Sequence, residues 1–265
     1  MNTFTWSPSR ILLVGFCGLV GVLLMGPTLI VVPLSFTSEK SFRFPPEGWS
    51  TQWYENFFTD PNWYESALLS VRVGLAVAVL ATVLGTAAAV ALSNGRGAWR
   101  GPANGFMLAP MIVPGVITAV GIYYVFLNLG LTQGFWGFVL AHTVLALPFV
   151  VVAVSASLNG LDKALVTAAW SLGANRWAAF RQITLPLIAP GILTGALFAF
   201  LTSFDEAIVS LFLSGPFART LPIQIFQSVT ADIDPTIAAA STMLLATTGF
   251  FMVVLGVITV SRNRR

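Results

Sequence analysis

Six apolar runs, each long enough to cross a bilayer as a helix, leave this chain few folds to choose from. A hydrocarbon core about 30 Å thick takes roughly 20 helical residues at about 1.5 Å each. The runs lie at about 11–36, 66–92, 106–127, 135–158, 187–213 and 237–260. Lipid offers the backbone no hydrogen-bond partner, and a helix satisfies its own N–H and C=O groups within one segment. The sequence therefore predicts an all-α, polytopic membrane protein that forms a single transmembrane domain over 1–265. Only 9% of its residues are charged and its mean hydropathy is +0.85, against about 25% charged in a soluble domain. The first run has a rival reading, a cleaved signal peptide. It exceeds the apolar length of about 7–15 residues such a peptide carries, and no clear small-x-small site follows it. It reads as a retained first helix.

The flanks of the runs set the orientation, because cytoplasmic flanks are enriched in Lys and Arg. With the N-terminus inside, the inner face receives Arg10, Arg96, Arg100, Lys163, Arg176, Arg181, Arg262, Arg264 and Arg265. The outer face receives only Lys40, Arg43 and Arg219, and Arg72 falls within the second run. Nine against three puts both termini in the cytoplasm. These basic residues never gather into a stripe, so the net charge of +3 does not point to nucleic acid. Cys17 stands alone in an apolar run and has no partner for an intramolecular disulfide. The outer segment from Thr37 to Tyr64 carries Trp49, Trp53, Tyr54, Phe57, Phe58, Trp63 and Tyr64. Aromatics favour the membrane–water boundary. The segment reads either as a helix lying on the outer surface or as a loop tucked against the helices.

The cytoplasmic loop between the fourth and fifth runs, 159–186, is the most informative. Asp162 is placed to cap a helix over Lys163–Leu172, and Gly173 supplies its stop. A second short helix, about Arg176–Gln182, is expected to end before a break at Pro186. Two short helices hinged at a glycine form either a protrusion for another protein to grip or an ordinary connector.

Ala168-Ala169, three residues, Gly173, nine residues, then Ile183-x-Leu185-Pro186 resembles the EAA loop of ABC-transporter permeases of the binding-protein-dependent import class. The third run, LAPMIVPGVITAVGIYY, is similar to the double-proline helix of these permeases, and Ser203–Phe226 is similar to the spermidine/putrescine-type subgroup. The chain departs from the motif at its leading Glu, which is Thr167 here. The resemblance implies that this loop is the coupling helix fitting a groove on an ATPase. It also implies a cytoplasmic ATPase dimer holding ATP and Mg, a second permease subunit in a heterodimer, and an extracytoplasmic solute-binding protein. The location implied is the bacterial inner membrane. No cofactor is expected in this chain. A P-loop needs G-x-x-x-x-G-K-[ST] to wrap phosphates; the two lysines, Lys40 and Lys163, lie in no such context.

Polar groups in apolar surroundings are the candidates for a pathway. A central Asp costs roughly 2.5–3.5 kcal/mol in a membrane helix and suggests function by default. Asp205 and Glu206 lie in the fifth run. Adjacent helical residues point about 100° apart, so a straight helix cannot aim both at one cavity. The expectation is that one lines the pathway and the other pairs within the protein. Two acids suit a cationic solute, in keeping with the polyamine-type resemblance. The competing reading is structural, in which they pair with Arg72 or cap a helix break. Arg72 itself is placed to snorkel to the outer interface. His142, the one histidine, reads as a packing residue held by hydrogen bonds; a metal site needs more His or Cys than the chain offers nearby. Pro110, Pro114 and Pro148 are expected to kink their helices.

A self-sufficient secondary transporter is the alternative from another class, but such folds show internal repeats and none is visible. An intramembrane enzyme would need a nucleophile–base or metal cluster, and one His with one distant Cys does not supply it. The sequence thus predicts a permease subunit for a small cationic solute such as a polyamine, with another amino compound or an aminophosphonate as the alternative cargo.

Overall fold

The computed structural model describes residues 8–95, 97–216, 218–231 and 233–263. Arg96, Arg264 and Arg265, three of the basic residues used above to orient the chain, lie outside the described residues. The chain is helical, and its described residues hold isolated bridges at Thr37–Trp49 and Gly215–Ala218 but no strand. In order the helices are α1 (Pro8–Leu34), α2 (Gln52–Thr59), α3 (Pro61–Asn94), α4 (Arg100–Ile112), α5 (Gly115–Asn128) and α6 (Phe135–Asn159). There follow α7 (Lys163–Ser171), α8 (Arg176–Ala179), α9 (Leu185–Phe204), α10 (Ile208–Leu213), α11 (Leu221–Ala231) and α12 (Thr236–Asn263). Four helices are long and apolar enough to cross a membrane: Pro61–Asn94, Phe135–Asn159, Arg176–Phe204 and Thr236–Val253. Two bent pairs raise the count to six if each is one span: Leu12–Gly26 with Thr28–Leu34, and α4 with α5.

Three expectations need correction. The run at 106–127 is no single straight span, because α4 and α5 meet at 103°. The cause is Pro114. A residue preceding proline is pushed out of the helical region, and Val113 is extended at φ −72°, ψ 130°. Neither is the run at 187–213 continuous: α9 ends at Phe204, and α10 begins at Ile208. Nor does Pro186 break the chain, since Arg176–Phe204 is one helical rod of 29 residues. A π-helical turn, Phe180–Thr184, precedes the proline, and the Leu185 N–H reaches back to the Phe180 carbonyl. A wider turn gives the proline ring room against the carbonyl four residues back. α6 likewise runs unbroken past Pro148.

The chain divides into two compact units. The first comprises Met1–Trp63 and Ile225–Ala246. In it the aromatic outer segment is both helical and tucked in. Trp53 Nε1 donates to the Thr37 carbonyl at 2.7 Å, the Ser35 and Tyr54 hydroxyls meet at 2.7 Å, and Asn56 Nδ2 donates to Thr236 Oγ1 at 2.8 Å. Phe57 and Trp63 are buried, while Trp49 and Phe58 stay exposed.

The second unit, Tyr64–Gln224 with Thr247–Arg265, carries the main core. Val73, Val77 and Ala81 of α3 meet Phe138, Val139 and Val150 of α6 and Ile188 and Ala199 of α9 there. Close helix approach in membranes is bought with small residues. A Cβ at Gly191 of α9 would stand 2.8 Å from the Ala153 carbonyl oxygen of α6, and one at Gly195 would stand 3.1 Å from Val150 Cα.

Candidate functional site: a loop elbow and a broken span

Two places in the second unit hold the residues singled out by sequence, one at each end of the rod Arg176–Phe204. The first is the elbow made by α7 and α8. Asp162 accepts from the Ala164 N–H at 2.9 Å and so starts α7. Gly173 then turns the chain at φ +88°, a left-handed conformation that glycine adopts without a Cβ penalty. Asn175 accepts from the Ala178 N–H at 2.8 Å and starts α8. That cap was legible in principle, as an Asn directly before a helical stretch, but it is absent from the residues named above. Thr167 and Ala168 are exposed on α7 and Ala169 is half-buried; Ile183 and Leu185 are half-buried in and after the π turn, with Pro186 exposed. α7 packs against α8 and the π turn, which holds the set together as far as Ile183, and Leu185 and Pro186 open α9 directly after it. Thr167, which stands where the motif has Glu, donates its hydroxyl to the Lys163 carbonyl at 3.1 Å. Around it the elbow exposes Leu165, Trp170, Leu172 and Trp177, with Leu172 at 89%.

The second place is the break between α9 and α10. Asp205 has φ −96°, ψ 1° and ends α9. Glu206 Oε1 accepts from the Val209 N–H at 2.8 Å and serves α10 as a cap. An N–H left open at a helix start needs such an acceptor. Asp205 is exposed and Glu206 is half-buried. Among the described residues neither acid forms an ion pair with Arg72, which is itself exposed. His142, on α6, is fully buried and lies 2.9 Å by Nδ1 from Ser203 Oγ and 3.0 Å by Nε2 from Ser210 Oγ. The two serines carry no sequence signal that would have linked them to it.

The elbow residues and the acids are thus not brought together. They are joined by α9, whose 20 residues span about 30 Å.

Residues 81–264 match the family described as binding-protein-dependent transport system inner membrane component. The putrescine transport system permease protein PotI of Escherichia coli K12 is 37% identical over 254 residues, 92% of this chain and 88% of that protein. The spermidine/putrescine transport system permease protein PotC of Haemophilus influenzae is 32% identical over 237 residues, 89% of this chain and 92% of that protein. Among solved structures, a bacterial ABC transporter involved in import of the acidic polysaccharide alginate has the same fold. Its TM-score is 0.70 at 14% identity, over 97% of this chain and 99% of that one.

Proposed function

Because the chain belongs to the family of binding-protein-dependent transport system inner membrane components, we propose that it is one permease half of an ATP-driven importer of polyamines. The cargo follows from the relatives, which are spermidine and putrescine permeases, and from an exposed carboxylate, Asp205, at a break in an otherwise apolar span. That carboxylate is the observation that carries the cationic reading. An ammonium group is recognised by a charge-assisted hydrogen bond, roughly twice as strong as a neutral one.

In this reading both termini are cytoplasmic and the whole chain is one permease domain. ATP and Mg sit in a separate ATPase dimer, a second permease subunit completes the pathway, and an extracytoplasmic binding protein delivers the solute. Thr167, Ala168, Ala169, Gly173, Ile183, Leu185 and Pro186 form the surface that meets the ATPase. The exposed apolar side chains Leu165, Trp170, Leu172 and Trp177 support that assignment, since clustered exposed apolar surface marks interaction sites. α8, the π turn and α9 are one rod, so a displacement of the elbow by the ATPase moves the end that bears Asp205. With Thr167 bonded inside its own helix, docking rests on shape and apolar contact in place of a carboxylate.

The test is reconstitution in liposomes with the ATPase, the second permease and the binding protein. ATP-dependent uptake of labelled putrescine or spermidine, competed by other polyamines and not by neutral solutes, is the expected result. Transport of an anionic solute by the same complex would overturn the cationic assignment.

A further inference from the structure

His142 is used by neither the elbow nor the acids, yet it touches both sides of the break. Its ring is at 0% exposure and packs edge-on against Phe138, with centroids 6.0 Å apart. Nδ1 meets Ser203 in the last turn of α9, and Nε2 meets Ser210 in α10. Both serines are buried, at 4% and 0%. A neutral imidazole has one N–H and one lone pair, so one hydroxyl accepts from the ring and the other donates to it. All polar atoms of the ring are then satisfied, as burial demands.

The spacing of the serines explains what this contact selects. In an unbroken helix, residues seven apart are separated by roughly 10.5 Å along the axis. A five-membered ring with one hydrogen bond at each end is shorter than that. The bridge therefore favours the broken form of the fifth span over a straight one. Three residues, Asp205–Ala207, separate α9 from α10, and they include both acids. The ring belongs to neither half: it stands on α6, a continuous helix of 25 residues packed along α9 and against α10.

We propose that His142 is the positioning residue of the solute pathway, holding α9 and α10 at the angle that presents the Asp205 carboxylate. This rests on the reading of Asp205 as a pathway group. His142 itself acts through the break and does not touch the solute.

The test uses the reconstituted complex with Ser203→Ala, Ser210→Ala, His142→Asn and Asp205→Asn. Spin labels at Leu193 of α9 and Leu211 of α10, both exposed, in a Cys17→Ser background report the geometry of the break. Each serine variant is expected to broaden the label-to-label distance distribution. It should also raise the half-saturating polyamine concentration about fivefold, the equivalent of one lost hydrogen bond, with a smaller change in maximal rate. Asn in place of His142 reaches only the Ser203 side, so it should behave like Ser210→Ala, and combining the two should add nothing. Unchanged distances in both serine variants overturn the proposal, as does an additive double variant. Failure of both serine variants to assemble also overturns it, because the contact would then serve folding and not positioning. If Asp205→Asn leaves uptake unchanged while the serine variants still loosen the break, the pathway reading fails and the role of His142 in holding the break stands.

Discussion

Glu206 commits its carboxylate to the Val209 N–H at 2.8 Å, whereas Asp205 beside it is exposed, and the two acids should therefore separate under mutation. Asp205→Asn keeps the shape and removes the charge. It also removes a desolvation cost, so the complex should melt no lower, while polyamine uptake falls by about tenfold or more, as loss of a charge-assisted contact worth roughly 1.5–3 kcal/mol gives. Glu206→Gln retains an oxygen for the Val209 N–H and should transport nearly as well as the parent. Glu206→Ala leaves that N–H open and should lower stability by about 1 kcal/mol. Thermal melting and uptake measured on the same purified complexes check all three. A loss of assembly in Asp205→Asn with normal uptake in whatever survives would assign Asp205 a structural role. At this scale the sequence carried half of the site. Two carboxylates in an apolar run are conspicuous because they are costly there. Ser203 and Ser210 are not, since a serine in a membrane helix is unremarkable until the fold puts a ring nitrogen beside it.

Among the elements, the elbow made by α7 and α8 was the most legible. Asp162 and Gly173 are local signals, and the structure uses both of them: the cap at 2.9 Å and the turn at φ +88°. Gly173→Val puts a β-branched residue where it is a rare outlier. Its cost of roughly 1–2 kcal/mol should be relieved by reorienting α8 against the ATPase. Solute-stimulated ATP hydrolysis and uptake should fall together while the chain still inserts, and Gly173→Asn, better tolerated at such positions, should retain most of both. Normal stimulation in Gly173→Val would make the loop a connector only. Prolines were the opposite case. Pro114 parts α4 from α5 by 103°, Pro148 leaves α6 whole, and Pro186 is absorbed by a π turn. A missing N–H is a local fact, but what becomes of the freed carbonyl depends on the neighbours that can accommodate it.

For the whole molecule, the orientation is the property most open to a direct check. The nine-to-three distribution of basic residues predicts that a reporter fused after Arg265 is cytoplasmic and one inserted near Pro46 is outside. Finding both on one side would reject six crossings, and with them the elbow's access to a cytoplasmic ATPase. Class and crossing segments came from the sequence alone, because transfer into lipid depends on the summed hydropathy of about 20 residues and barely on their order. The elbow came from it too, because a cap and a glycine turn act within a few residues. Only the tertiary structure decided which prolines break a span, that the elbow and the acids are two ends of one rod, and that His142 joins Ser203 to Ser210 across 61 and 68 residues of chain. Those are relations between distant segments, and they arise when α6 packs along α9; Gly191 and Gly195 permit that approach, but a glycine does not name the helix it will meet.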